Sequence, residues 1–307
     1  MPETTFHPID AHTRLCAVYG HPIKHSASPA MQNAALSALR LNWRYLACEV
    51  RPDDLATAIA GAGAMKFIGL NLTVPHKLLA LKMCDVLDES AKIFGAVNTI
   101  RFEGKTKTGD WVPLHQIPAD EVSEIRSHGF NTDAEAVARS IREDLKMEIR
   151  GARILLLGAG GAGRVAALKF AGEGAKELFL LNRTRGKAED LAEEIHQRFS
   201  DVLLKTNYPD AKVDLVVNAT SLGLKSEDAS PLDGKQFSLR DTSAVYDMIY
   251  RPAETPLLTA AKKAGCRTAN GLGMLLYQGA KALEIWSGKS APIEIMRRAL
   301  EQNVYGR

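Results

Sequence analysis

Cysteine is scarce. There are four in 307 residues, Cys16, Cys48, Cys84 and Cys266, far apart and without a C-x-x-C pair. That spacing excludes a disulfide-stapled scaffold and offers no zinc-ligand pattern, so the thiols read as small core residues. An excess of one charge is lacking too: 39 Lys and Arg face 36 Asp and Glu, and the basic residues are dispersed. With no concentrated basic patch, a nucleic-acid partner is not expected. No apolar run is long enough to span a bilayer, and the opening residues have neither the basic nor the apolar region of a secretory signal. The expectation is a cytoplasmic protein with no membrane partner.

The length allows about two domains, each with its own core. Strand-like apolar runs at 15–19, 45–50, 67–72 and 97–102 alternate with helical patterns, and the alternation restarts near Asn131 with strands at 154–157, 178–181, 213–217 and 244–248. This predicts an α/β fold with largely parallel sheets, the second half doubly wound. Turn signals at Gly109-Asp110, Pro113 and Pro118 predict a loop over 104–129, with a short helix from Ala119. Near the end, Leu272, Leu275, Leu276, Gly279, Leu283 and Trp286 form one helical stripe that needs a covering partner.

Residues 154–163 place G-x-G-x-x-G directly after a strand and at the opening of a helix. Gly158, Gly160 and Gly163 allow a sharp turn and a close backbone approach to a pyrophosphate, whose charge meets the helix N-terminal N–H groups. A dinucleotide site is predicted; glycines serving only a tight turn are the plainer alternative. The next strand ends Leu181-Asn182-Arg183-Thr184-Arg185-Gly186-Lys187, without the acid that would accept from a ribose 2′-hydroxyl and repel a 2′-phosphate. Arg183 can pair with phosphate and stack on adenine, and Asn182, Thr184 and Lys187 add donors. The segment favours NADP over NAD, against the alternative of a solvated basic turn.

Polar groups cluster in the first half. Ser28 could cap a helix with Pro29 in its first turn, but this leaves Ser26 unexplained, and two hydroxyls at a helix start also suit a carboxylate. Lys77 closes Asn71-Leu-Thr-Val-Pro-His-Lys in a first helical turn, where a cation opposes the macrodipole and a neutral amine is favoured; an exposed lysine pointing away is the alternative. Asn98 shares a strand face with Ile100 and Phe102, so its amide needs a backbone or ligand partner. Thr132 and Glu135 fit a capping box, with Asp133 in the first turn.

Together these segments resemble the shikimate dehydrogenase family, whose pieces are similar to G-x-P-I-x-H-S-x-S-P at 20–29, N-x-T-x-P-x-K at 71–77, G-A-x-N-T at 95–99 and N-T-D at 131–133, in the family's order. The likeness continues through 158–163, 182–184, 218–221, 246–250 and 270–278, nearly the whole chain. It implies an N-terminal open α/β substrate domain (1–131 plus 271–307) and a doubly wound Rossmann NADP-binding domain (132–270), with C-terminal helices returning to the first. It implies an oxidoreductase of aromatic amino acid biosynthesis that reversibly reduces 3-dehydroshikimate to shikimate, with NADPH as cofactor and no metal. Lys77 and Asp133 would form the catalytic pair. Ser26 and Ser28 would hold the substrate carboxylate, and Thr73, Asn98, Asp133, Tyr250 and Gln278 would complete the substrate contacts. Gly158, Gly160, Gly161, Ala162, Gly163, Asn182, Arg183, Thr184, Lys187, Thr220, Met248 and Gly271 would meet the cofactor.

Two departures stand out: Gln32 where many relatives have His, and Ala134 where they have Gly. The segment 101–130, with Trp111, His115 and His128, is longer than the family's hairpin and reads by default as a decorated surface loop. A quinate/shikimate dehydrogenase of broader substrate and cofactor use is the alternative among enzymes, and a non-catalytic ligand or redox sensor the alternative outside them. A monomer or a homodimer is expected.

Overall fold

The computed structural model describes residues 8–118, 120–225 and 227–306. The chain divides into two compact units, Met1–Thr132 with Gln278–Arg307, and Asp133–Tyr277.

The first unit opens with β1 (Arg14–Gly20), α1 (Ser28–Ala38), β2 (Trp43–Glu49), α2 (Leu55–Ala64) and β3 (Gly69–Leu72), and its three strands pair in parallel. β3 is buried throughout, as is β1 from Cys16 onward, which is why both read as apolar runs rather than alternating patterns. A single-turn α3 (His76–Leu79), β4 (Val86–Leu87) and α4 (Glu89–Phe94) follow. α4 ends on Gly95, whose φ of +58° turns the chain back in a left-handed cap. β5 (Thr99–Lys105) then runs antiparallel to β3, so this sheet is mixed rather than largely parallel.

The segment expected to be a loop supplies β6 (Trp111–Pro113) and β7 (Ile125–Phe130). The strand order is β2-β1-β3-β5-β7-β4, with β6 paired to β5, so β7 is an inner strand. A Cβ on its Gly129 would come within 2.9 Å of Cys84 Sγ, which shows how closely the strand is packed. Turn chemistry locates the reversal at Gly109, φ +93°, but partners distant in sequence decide the strands. The helix expected from Ala119 begins outside the described residues, and 120–124 are turn and irregular chain.

β5 and β7 meet over a buried charge cluster. Glu103, 2% exposed, accepts from Arg101, from Arg126 at 2.7 Å and from His128 at 3.0 Å. Burial alone would raise its carboxyl, but the His128, Arg101 and Arg126 hydrogen bonds outweigh that and hold it at about 2, against an ordinary 4.5. Because the folded value is depressed, the stabilisation is complete above the unfolded pKa and is lost as pH falls through the folded one. It amounts to on the order of 3 kcal/mol. Urea unfolding from about pH 6 down to pH 2 should show this loss, and Glu103→Gln should flatten that limb. An unchanged slope would remove Glu103 from the acid response.

The second unit contains α5 (Asp133–Leu145), β8 (Arg153–Leu157), α6 (Gly161–Gly172), β9 (Glu177–Leu181), α7 (Arg185–Arg198), β10 (Leu203–Lys205), β11 (Val213–Asn218), β12 (Thr242–Asp247), α8 (Pro256–Lys263) and β13 (Arg267–Asn270). All six strands are parallel, in the order β10-β9-β8-β11-β12-β13. This is the doubly wound arrangement, reversing direction between β8 and β11. Ile154, Leu155 and Leu156 of β8 have no exposed surface, as a central strand covered on both faces requires.

α9 (Leu272–Ser287) carries the chain back, and α10 (Ile293–Tyr305) lies against α1. The apolar stripe of α9 finds its partner here. Trp286 is 1% exposed and donates from Nε1 to the Ile100 carbonyl at 2.9 Å, and a Cβ on Gly69 would overlap that indole nitrogen at 2.1 Å. Gly279 likewise leaves room for Met31, while Gln32 donates to the Gly279 carbonyl at 2.8 Å. The Gln32 departure is therefore a helix–helix contact. All four cysteines are free, and among the described residues no helix is long and apolar enough to cross a membrane.

Candidate active site

In the first unit the motif residues gather where β1, β3 and β5 present one end. Gly20 closes β1, and a Cβ there would meet Thr73 Cγ2 at 2.5 Å, so the glycine lets the 71–77 loop lie directly against the strand end. Thr73 donates its N–H to the Tyr19 carbonyl, and Val97 donates to the Lys77 carbonyl at 2.8 Å. The lysine backbone is thereby tied one residue before Asn98. α3 is only one turn long, so the expected macrodipole effect on Lys77 has no helix behind it; its placement rests on these loop contacts.

α1 begins at Ser28 with Ala27 as its cap residue and no side-chain cap bond. The capping role suggested for Ser28 is therefore not seen. Ser26 Oγ accepts the Ser28 N–H at 3.4 Å, and the Ser28 side chain is hydrogen-bonded to the Tyr45 phenol. Burial holds that phenol well above its ordinary pKa, so it remains a donor, to Asn71 Oδ1 at 2.7 Å. Asn71 Nδ2 donates to Thr99 Oγ1 at 3.0 Å, and Thr99 donates to Asn98 Oδ1 at 3.1 Å. Asn98 Nδ2 donates to Thr132 Oγ1, Asn98 Oδ1 accepts the Thr132 N–H, and Thr132 Oγ1 donates to the Gln278 carbonyl at 3.1 Å. One buried polar chain thus links Ser28, Asn98 and the Gln278 backbone. Tyr45, Asn71, Thr99 and Thr132 carry it, and sequence reading assigned none of them a role in the site, because a polar residue inside an apolar strand does not name its partner.

Asp133 and Tyr250 belong to the second unit: Asp133 is the first residue of α5, 6% exposed, and Tyr250 follows β12. Burial raises the Tyr250 phenol above its ordinary value. Ala134, the other departure, is 2% exposed beside Asp133.

The glycine turn lies at the strand-order reversal. Gly158 has φ +108° with the Ala219 carbonyl 2.9 Å from where its Cβ would be, and a Cβ on Gly163 would strike the Gly158 carbonyl at 2.0 Å. Gly160 and Gly161, at the start of the twelve-residue α6, meet nothing within 4 Å, leaving the backbone open to a pyrophosphate. Ala162, in the same first turn, is exposed. Asn182 bridges the turn to the end of β9: its Oδ1 accepts the Ala159 N–H at 3.1 Å and its Nδ2 donates to the Thr184 carbonyl.

A cavity of about 600 Å³ joins Gly158, Asn182, Arg183 and Thr220, a volume suited to part of a dinucleotide. Arg185, Thr206, Asn207, Tyr208 and Gln236 also line it, and sequence reading missed all five. Thr206, Asn207 and Tyr208 follow the three-residue β10 and Gln236 lies in the chain between β11 and β12, where no pattern pointed to them; Arg185 stands in the basic segment after β9 but was given no role. Of the expected cofactor residues, 160–163, Thr184, Lys187, Met248 and Gly271 are not among its lining residues. Lys187 lies exposed on α7, while Gly271 donates to the Ile249 carbonyl and allows the Met248 carbonyl to approach.

A doubly wound unit with an open glycine turn at the reversal, and a basic, acid-free strand end on the same cavity, defines a dinucleotide-binding protein. Three family models match: "Shikimate dehydrogenase substrate binding domain" over 18–100, "Shikimate / quinate 5-dehydrogenase" over 137–224 and "Shikimate 5′-dehydrogenase C-terminal domain" over 271–301. The chain belongs to the shikimate dehydrogenase family. It is 39% identical over 304 residues to the shikimate dehydrogenase (NADP(+)) of Methanopyrus kandleri, covering 96% of this chain and 98% of that one. Its fold is similar to that of a shikimate dehydrogenase crystallised with NADP+ (TM-score 0.82, 34% identity, 98% and 99% of the two chains). It is also similar to the Thermus thermophilus enzyme in complex with NADP(H) and shikimate (TM-score 0.79, 33% identity, 94% and 99%).

Proposed function

We propose that this chain is an NADP-dependent shikimate dehydrogenase that reversibly reduces 3-dehydroshikimate to shikimate. The observation that carries the reading is the cavity in which Gly158 and Arg183 face the same space, at a strand end without an acid. NADPH, when bound, supplies the hydride. Gly158 through Gly163 hold its pyrophosphate, and Asn182, Arg183, Thr184 and Lys187 its 2′-phosphorylated adenosine. Thr220, Met248 and Gly271 complete the cofactor site.

The substrate carboxylate binds Ser26 and Ser28. Thr73, Asn98, Asp133, Tyr250 and Gln278 orient the ring through its hydroxyls. Lys77 protonates the developing alkoxide, and Asp133 orients a ring hydroxyl and the amine. Residues 1–131 with 271–307 serve the substrate, and 132–270 the cofactor. The enzyme is cytoplasmic and acts as a monomer or homodimer, which sedimentation at micromolar protein distinguishes.

Purified protein offered shikimate or quinate, each with NADP+ or NAD+, should turn over shikimate with NADP+, read as nicotinamide absorbance. A preference for quinate with NAD+ would support a broader quinate/shikimate dehydrogenase, and complete inactivity a non-catalytic sensor.

A further inference from the structure

The row of residues ending the second unit's strands contains an acid that the reaction above does not use. Asp247 closes β12, in register with Asn218 of β11 and Asn270 of β13. It has no exposed surface. Its hydrogen-bond partners are uncharged: Oδ1 accepts from Asn218 Nδ2 at 2.9 Å and from the Ile249 N–H at 3.0 Å, and Oδ2 accepts from Thr255 Oγ1 at 2.7 Å. A carboxylate buried without a cation is costly, and an apolar side chain would suit a strand core better. Its use lies in what an acceptor-only group imposes on its neighbours.

Asn218 must turn its amide NH2 toward Asp247, so its carbonyl oxygen faces the other way. That oxygen accepts both the Thr220 N–H at 2.9 Å and the Thr220 hydroxyl at 2.8 Å. The hydroxyl proton is thereby committed, and Thr220 Oγ1 in turn accepts the Leu222 N–H at 3.1 Å. The second arm fixes the chain after β12: Ile249 is held by its N–H, its carbonyl accepts from Gly271, and Met248 donates to the Asn218 carbonyl at 3.0 Å. Thr220 lines the cavity with Gly158, and Ala219 is the backbone against which Gly158 turns. One carboxylate therefore sets the loop after β11, which lies beside the glycine turn, and the chain after β12, one strand further along the sheet.

We propose that Asp247 is a positioning residue for the dinucleotide, acting through Asn218 on Thr220 and through Ile249 on the 248–250 segment. This rests on the NADP reading above. The test is direct calorimetric binding of NADP+ to the full chain. Asp247→Ala should weaken binding about tenfold or more, Asp247→Asn, which keeps an acceptor for Asn218 and Ile249, should recover most of it, and Thr255→Val should fall between. In a Thr220→Val background, Asp247→Ala should add clearly less than it does alone, because the arm through Asn218 is already cut and only the arm through Ile249 remains. Should Asp247→Ala not fold, Thr255→Val still decides. NADP+ affinity within about twofold of wild type in Asp247→Ala, or in Thr255→Val where the alanine variant does not fold, would overturn the proposal, as would full additivity with Thr220→Val. Failure of the unaltered chain to bind NADP+ would instead overturn the functional reading.

Discussion

Lys77→Ala should lower kcat for shikimate oxidation by about 10²–10⁴-fold, the range for removing a group that transfers a proton in the transition state. NADP+ affinity should stay within about twofold, because Lys77 belongs to the first unit and the cofactor cavity is formed by the second. Shikimate binding should change far less than kcat, because Ser26 and Ser28 hold the substrate carboxylate in the reading above. Steady-state turnover with parallel calorimetry for both ligands checks this. A loss below about tenfold, or a loss matched by weaker NADP+ binding, would remove Lys77 from proton transfer.

Arg183→Gln should raise the KM for NADP+ by about 10–100-fold, equivalent to one or two charge-assisted hydrogen bonds to a phosphate. The KM for NAD+ should move little, since NAD+ has no 2′-phosphate. Raising the salt concentration should weaken NADP+ binding to the unaltered protein and do so much less for the variant. Equal effects on both cofactors would show that Arg183 only stacks on adenine.

What could be read before the structure follows the range of the interactions involved. The glycine turn is legible because it is local: Gly158 and Gly163 are required by backbone contacts, while a Cβ at Gly160 or Gly161 would meet nothing within 4 Å. The basic end of β9 is equally local. β8, β9, β11 and β12 were visible as apolar runs, whereas Arg-Thr-Ala-Asn of β13 is a strand only because β12 lies beside it. The same holds for β7, whose Arg, Ser and His residues give no strand signal until Glu103 and Asp85 supply partners. In the first unit the motif residues were identifiable but their wiring was not. Tyr45 meets Asn71 across 26 residues and Asn98 meets Thr132 across 34, and no spacing rule encodes such pairs.

The seating of Trp286 against Gly69 bears on how the protein comes off the ribosome. The sheet made first lacks its covering indole until the final helices emerge, while the glycine-turn unit has all its strands by residue 270. Synthesis from the N-terminus thus leaves the earlier unit waiting for the segment Gln278–Arg307, with an apolar face exposed in the interval. A nascent chain stalled before α9 would be the form most in need of a chaperone.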